Sequence, residues 1–194
     1  MLTKKTFFIK TWAKKEKVLA HILEFPNFIQ PNDFACGVAW VLSVLWYYGE
    51  EDLRECELEK LLKTTKKEWT ETKNIIRFFQ TKKFTVDARQ MTIKDLETYI
   101  DKEIPIIVSL QARSTKKTDY KNIRNEGHNV TVIGYTMKYI FFADPVTQRT
   151  CYLPKAEFIV RRHEQEDRTL YNNFGVAVYG KKPVYNPLIL EKIM

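Results

Sequence analysis

The segment around Cys36 places a thiol where a nucleophile would be activated. The mainly polar residues 30–33 precede it, and the apolar run that follows is broken only by Ser43 before Trp46. This run predicts a buried helix over 36–48 that ends at Gly49. Unpaired amides and the helix dipole favour the thiolate form of a cysteine at the start of a helix. The same pattern also fits a small core residue, since free cysteines are usually buried.

A second candidate group lies downstream, where two predicted strands over 129–135 and 139–143 are joined by a short turn. If the turn is centred on Thr136 and Met137, His128 lies opposite Asp144 or one place away. Opposed residues share one face of a sheet, with Cβ atoms ~4.5–5.5 Å apart. A carboxylate at that distance would hold the imidazole in one tautomer, as the third member of a catalytic triad does. A structural histidine pair at the strand ends is the alternative.

Four short motifs, in this order and spacing, resemble those of the bacteriocin-processing, double-glycine leader peptidases, a family of papain-like cysteine peptidases. They are Gln30, Cys36-Gly37, Gly127-His128 and Asp144-Pro145, and the similarity extends over about residues 28–158. The resemblance implies that Cys36 attacks the substrate and that His128 is its base. It also implies that Asp144 orients His128 and that Gln30 contributes to the oxyanion hole.

The resemblance further implies a bacterial protein that cuts peptides after small residues such as Gly-Gly. The best-known members of the family are fused to export transporters. This sequence has no glycine-rich, phosphate-binding loop that ends in Lys-Ser or Lys-Thr. It also has about thirty residues before the first motif, and residues 146–149 lack the glycine expected in that turn. We therefore expect a stand-alone peptidase domain.

Other activities remain open because the same three groups can form a thioester with several kinds of amide. A deamidase, an isopeptidase and a transglutaminase-type acyl transferase would all use this arrangement. A non-catalytic module that only binds peptides is a further alternative. The presence of all four polar groups favours an enzyme, since a binding module needs neither nucleophile nor base.

The order of the predicted elements indicates an α+β protein with a helical N-terminal lobe and an antiparallel-sheet C-terminal lobe, as in papain-like peptidases. Helices are expected over 36–48, 52–62, 72–79, 93–100 and 155–161. Strands are expected over 106–112, 129–135, 139–143, 150–153 and 170–179, with an edge strand or extended crossover over 84–90. We expect one domain over 1–194, with an accessory segment over 1–27 and a tail over 180–194. Lysines that alternate with apolar residues near the N-terminus favour a helix packed on the domain, with a membrane-surface helix as the alternative.

The composition, 44% hydrophobic with 13% aromatic residues, fits a compact globular domain. Neither a membrane-spanning segment nor a signal peptide is apparent, so we expect a cytoplasmic protein; secretion as an effector stays open. Three cysteines without close spacing and three scattered histidines predict no metal and no cofactor. Cys56 and Cys151 are expected to be packing or surface residues, and His163 to be exposed.

The net charge of +8 is spread among interleaved lysines and glutamates, a pattern typical of solvated helix faces. We therefore expect a peptide or protein partner and no nucleic acid. One cluster, Lys116, Lys117, Lys121 and Arg124, precedes His128 and would favour acidic substrate segments if it lined the cleft. A charged surface loop is the alternative. The sequence indicates no oligomeric state.

Overall fold

The computed structural model describes residues 2–10, 15–50, 52–112, 119–166 and 169–188, with side chains from residue 19 onward. Helices within these ranges are α1 (Cys36–Tyr47), α2 (Glu55–Leu61), α3 (Thr72–Thr81), α4 (Ile93–Asp101) and α5 (Lys155–Arg161). Strands are β1 (Leu2–Lys10), β2 (Lys15–Leu23), β3 (Thr85–Gln90), β4 (Ile106–Gln111), β5 (Gly127–Tyr135), β6 (Tyr139–Asp144), β7 (Arg149–Pro154), β8 (His163–Glu166), β9 (Thr169–Asn172) and β10 (Phe174–Tyr179).

Helix α1 forms the centre of the helical half. Only Trp46 in this helix escapes full burial, as its nearly continuous apolar sequence predicts. The helix packs against α2 on one side and against β5 on the other. Helix α3 is amphipathic instead, and its apolar face buries Ile75, Phe78 and Phe79. Because α1 contacts β5 directly, its first residue lies close to that strand.

The large sheet is antiparallel, with the strand order β1-β2-β5-β4-β10-β3. Strand β5 is its hub, since it pairs with β2, β4 and β6, and β6 in turn pairs with β7. Strands β8 and β9 form a separate two-stranded sheet. Helices dominate the first half and antiparallel strands the second, which confirms the predicted α+β class.

Most predicted elements are present within a few residues of their expected ends. Helix α5 has the bounds expected for it, and β3 is an edge strand, one of the two alternatives expected over 84–90. The strand expected over 170–179 is wrong as a single element. It divides at Asn173, which has a φ of 51°. Asparagine tolerates this left-handed conformation, and the break sends β9 and β10 into different sheets.

The N-terminal segment is a β-hairpin, so the expected helix is wrong. Strands β1 and β2 pair from Leu2 opposite Leu23 to Lys10 opposite Lys15. The sequence of β1 is rich in β-branched and aromatic residues, which favour strands, and β2 adds Val18 and Ile22. Strand β2 then joins the main sheet where Ile22 pairs with Gly134 of β5. The helical interpretation gave weight to the alternating lysines and overlooked these strand-forming residues.

Candidate active site

Cys36 is the first residue of α1 and is only 3% exposed. No side chain caps the start of this helix, so its first amides remain available to nearby acceptors. The next residue must be small, because a Cβ on Gly37 would lie 2.6 Å from the Cβ of Thr70. A cleft of about 660 Å³ opens beside the thiol, with walls formed by residues within 67–73, 124–129 and 164–166.

Burial raises the pKa of the Cys36 thiol above its ordinary value, and the negative charge of Glu164 acts in the same direction. The backbone N–H and the side-chain amide of Asn129 lower it, as does the backbone N–H of Gly37. The amides at the start of the helix therefore act as the sequence predicts, but burial outweighs them. A thiolate at this site needs a nearby base to take the proton.

His128 and Asp144 form a buried pair on neighbouring strands. Nε2 of His128 donates to Oδ1 of Asp144 over 2.9 Å, and each side chain is 8% exposed. His128 was expected opposite Asp144 or one place away, and this register is wrong, because the two residues lie two positions out of register. Thr131 lies opposite Ala143, and continuing this pairing puts Asp144 opposite Val130 rather than His128. The two side chains still meet because diagonal neighbours share one face of the sheet.

The turn between β5 and β6 explains this difference in register. The N–H of Thr136 donates to the carbonyl of Tyr139 over 2.9 Å, so the turn is centred on Met137 and Lys138. That is one residue later than expected. An irregularity between Val132 and Gly134 then shifts the pairing back by one residue before it reaches the site, so the effect of the turn is only partly cancelled.

The carboxylate of Asp144 is held by several donors besides His128. The N–H of Val146 donates to Oδ1 over 3.0 Å, and the hydroxyl of Thr147 donates to Oδ2 over 3.3 Å. The thiol of Cys151 also lies 3.6 Å from Oδ2. These contacts fix the carboxylate, and with it the plane of the imidazole. Cys151 is therefore a half-buried neighbour of Asp144 as well as a packing residue.

Gln30 lies beside the same turn. Its backbone N–H donates to the carbonyl of Pro145 over 2.9 Å, which brings the segment before α1 to the end of β6. Its side-chain Nε2 donates to the carbonyl of Asn32 over 2.7 Å, and its Oε1 is buried without a hydrogen-bond partner. One hydrogen of the side-chain amide remains for another acceptor.

The four predicted residues are not all in direct contact. Among the described residues, no hydrogen bond joins Cys36 to His128 or to Gln30. The contact of Cys36 with β5 is instead made one residue further along, where Nδ2 of Asn129 lies 3.8 Å from Sγ. Nε2 of His128 is engaged by Asp144, and Nδ1 is the ring nitrogen that this contact leaves free. The structure thus brings His128 together with Asp144 and Cys36 together with Asn129.

Sequence reasoning missed three polar residues around the thiol: Asn129, Ser109 and Glu164. The hydroxyl of Ser109 donates to Oδ1 of Asn129 over 2.6 Å. Burial raises the pKa of Glu164 to about 7, Ser109 opposes this through hydrogen bonding, and the charge of Glu166 adds to it. Ser109 could have been inferred from its register opposite Asn129. Glu164 lies on β8, a short polar segment with no apolar alternation to reveal it.

Two further expectations about polar residues are settled by the structure. His163 is 7% exposed, so its expected exposure is wrong. Its Nε2 bonds the carbonyl of Ile123 over 2.8 Å and so ties β8 to the loop before β5. Within the basic cluster, Arg124 lines the cleft. Lys121 lies on an exposed turn, where its backbone N–H donates a hydrogen bond to the carboxylate of Asp119. Lys116 and Lys117 lie outside the described residues.

Two kinds of feature are absent from the described parts of the chain. No three His, Cys, Asp or Glu side chains there come close enough together to bind a metal ion. None of the helices described is long and apolar enough to cross a membrane.

Comparison with solved structures shows the fold of the chain. The peptidase domain of Streptococcus ComA, a bifunctional ABC transporter involved in quorum sensing, matches with a TM-score of 0.60 and 18% identity, over 80% of this chain and 99% of that domain. A double-glycine-motif protease of an AMS/PCAT transporter, solved with its leader peptide, matches with a TM-score of 0.57 and 15% identity, over 84% and 94%. A structure described as that of a C39-like peptidase from Bacillus anthracis gives a TM-score of 0.61 at 14% identity, over 84% and 98%.

These matches confirm the papain-like fold and the predicted resemblance to double-glycine leader peptidases. Comparison with curated proteins finds no match. The sequence itself matches the profile of the Peptidase_C39 like family over residues 22–170. Family and fold together support a cysteine peptidase in general terms. Since the matched region is most of the 194 residues, the chain belongs to the Peptidase_C39 like family.

Proposed function

We propose that this protein hydrolyses peptide bonds with Cys36 as nucleophile, His128 as base and Asp144 as the group that orients His128. One observation carries the proposal. The buried pair of His128 and Asp144 is joined over 2.9 Å, and the residue after His128 contacts the thiol at the start of α1. Acyl transfer through a thioester requires a nucleophile, a base and a third group that orients the base.

The reaction begins when His128 takes the thiol proton through Nδ1 as the substrate carbonyl is attacked. Burial disfavours a free thiolate in the resting enzyme, so proton transfer and attack are closely linked. The sulfur bonds to the carbonyl carbon, and the imidazolium then protonates the leaving amine. Water, deprotonated by His128, finally releases the acid from the thioester.

The negative oxygen of the tetrahedral intermediate needs hydrogen-bond donors. We assign the backbone N–H of Cys36 and the remaining amide hydrogen of Gln30 to this role. The bond from Gln30 to the carbonyl of Pro145 keeps it near the end of β6, beside Asp144. Each such donor typically contributes ~2.7–4 kcal/mol in the transition state.

The cleft supports a peptide as the substrate. Its volume of about 660 Å³ falls within the range typical of ligand sites. The similar protease solved with its leader peptide supports a peptide segment as the substrate. We further propose that the protein cuts after small residues such as Gly-Gly. Deamidation, isopeptide cleavage and acyl transfer use the same chemistry and differ in the product.

The proposal is tested by incubating the protein with a peptide library that includes Gly-Gly sequences, followed by mass analysis of the products. We expect chain cleavage by the wild type and none by Cys36→Ala, which should bind the same peptides with nearly unchanged affinity. Cys56→Ser is the matched control, because Cys56 is exposed on α2. Cleavage by Cys36→Ala at the wild-type rate would refute the thiol mechanism. Uncut products in which a side-chain amide has become an acid would reassign the activity to deamidation, and products with a new cross-link would reassign it to acyl transfer.

A further inference from the structure

The polar residues that surround the Cys36 thiol form a connected chain. Nδ2 of Asn129 lies 3.8 Å from Sγ, and the backbone N–H of Asn129 also favours the thiolate. Oδ1 of Asn129 accepts the hydroxyl hydrogen of Ser109 over 2.6 Å. Beyond Ser109 lies Glu164, which interacts with the same hydroxyl. The chain runs from strand β8 through β4 and β5 to the first residue of α1.

The position of Glu164 depends on the absence of a side chain at Gly127. A Cβ there would lie 2.1 Å from Oε1 of Glu164, so the carboxyl group packs directly on the backbone of β5. Oε2 is buried and has no hydrogen-bond partner. An ionised carboxylate with an oxygen that lacks a donor is unfavourable in such surroundings, whereas a protonated acid has one hydrogen to donate.

The single hydrogen of the Ser109 hydroxyl links these groups. While it is donated to Asn129, the oxygen of Ser109 can accept the hydrogen of a protonated Glu164. The acid hydrogen of Glu164 then faces Ser109, and the hydroxyl hydrogen of Ser109 faces Oδ1 of Asn129. Asn129 is thereby held with its NH₂ group toward sulfur. If Glu164 is ionised, it competes with Asn129 for the same hydroxyl hydrogen. Its charge also raises the pKa of the thiol.

We propose that Asn129 is a positioning residue for Cys36 and that the protonation state of Glu164, transmitted through Ser109, sets the reactivity of the thiol. The inference rests on the proposed role of Cys36 as nucleophile. Protonated Glu164 favours the reactive arrangement, and ionised Glu164 opposes it. Burial gives Glu164 a pKa of about 7, so the change falls near neutral pH.

Other charged groups lie around Glu164 and act on the same titration. Glu166 is on the same strand and accepts from the hydroxyl and N–H of Thr72. Across the cleft lie Lys67, Glu68, Glu71, Lys73 and Arg124. Glu71 is paired with Lys73 over 2.6 Å, and Arg124 donates to backbone carbonyls of its own loop. Cys36 on α1 and Ser109 on β4 also face Glu164, and the charge that raises the pKa of Glu164 is that of Glu166.

The test is the rate at which methyl methanethiosulfonate, a small thiol reagent, modifies Cys36 between about pH 5 and about pH 9. Peptide mapping by mass spectrometry separates Cys36 from Cys56 and Cys151, which act as internal references. Glutamine mimics the protonated acid in size and can donate to Ser109. We therefore expect Glu164→Gln to match the wild type below pH 6 and to react on the order of tenfold faster above pH 8, as a shift of about one unit in the thiol pKa would produce. Glu157→Gln, at a partly exposed site on α5, is the matched control.

A double-mutant cycle separates the relay from the direct effect of charge. In a Ser109→Ala background, the relay predicts that the gain from Glu164→Gln becomes much smaller. A full gain in that background would overturn the relay. Coincident pH profiles of wild type and Glu164→Gln would overturn the role of Glu164. If Ser109→Ala does not fold, the comparison of wild type with Glu164→Gln still decides the second point.

Thiol modification is measured without any peptide, so the two proposals can fail separately. A protein that cuts no peptide but keeps the Glu164 effect would contradict the proposed function alone. A protein that cuts peptides with no Glu164 effect would contradict this inference alone.

Discussion

Replacing Glu164 with glutamine should remove a pH-dependent penalty on folding. In the unfolded chain a glutamate has its ordinary pKa, 4.5, whereas burial raises that of folded Glu164 to about 7. Between these values the folded protein retains a proton that the unfolded chain has released. Raising the pH therefore favours unfolding until the folded carboxyl group also ionises.

The size of this penalty follows from the two pKa values. One pKa unit corresponds to about 1.4 kcal/mol, so the full difference of about 2.5 units is roughly 3.5 kcal/mol. The Glu164 residue as a whole is half-buried although its Oε2 is buried, so water screens part of the charge and we expect roughly 1–3 kcal/mol. Relative to wild type, Glu164→Gln should be about equally stable near pH 5 and more stable by this amount near pH 8.

Urea unfolding of both proteins at several pH values, followed by circular dichroism, gives the free energy of unfolding and the slope of its dependence on urea. Glu157→Gln is again the control, because its carboxylate is 42% exposed and pairs with Arg161 on the surface of α5. Its stability relative to wild type should vary little with pH. A Glu164→Gln stability difference that is the same at low and high pH would refute the assignment of a raised pKa to Glu164.

Two further changes test the proposed triad and oxyanion hole. Asp144→Asn should fold, as judged by circular dichroism, but lower turnover by roughly 10²–10⁴-fold, since the imidazole loses its orienting carboxylate; a folded variant with full turnover would reassign the third group. Gln30→Ala should lower kcat by about 10²–10³-fold and leave the peptide Kd nearly unchanged, because charge on the oxygen develops only after attack. Calorimetry and single-turnover kinetics measure the two quantities, and a loss confined to affinity would assign Gln30 to ground-state binding.

Local patterns in the sequence were sufficient to predict where α1 begins and that His128 and Asp144 are close together. The apolar run after Cys36 predicts a buried helix, and that helix is present. The register of β5 and β6 was harder to predict, because moving a turn by one residue shifts every pairing by two. The contact survived because His128 and Asp144 remained on the same face of the sheet.

The part of the site around Glu164 depends on contacts between distant parts of the chain. Strand β8 has four residues, and its sequence is polar throughout. Its place is determined by the absence of a side chain at Gly127 and by the bond from Gln111 to the carbonyl of His163. No local periodicity encodes such contacts. The hairpin of β1 and β2 was missed for another reason. The lysines near the N-terminus are interleaved with apolar residues, and this pattern was interpreted as one face of an amphipathic helix although it also fits a strand.

The position of β10 in the sheet bears on how the protein can fold as it is synthesised. Strand β10 lies between β4 and β3, so the ladder is completed only after residues 174–179 have left the ribosome. By then α1 to α4, which depend mostly on nearby residues, have long been available. The cleft residues within 124–129 and 164–166 follow Cys36 by about 90 and about 130 positions, so the nascent chain carries Cys36 long before its cleft is complete. Asn129 and Glu164, the two residues that act on the Cys36 thiol from the second half of the chain, are therefore absent while the first half of the protein is being synthesised, and the surroundings of the thiol are completed only late in translation.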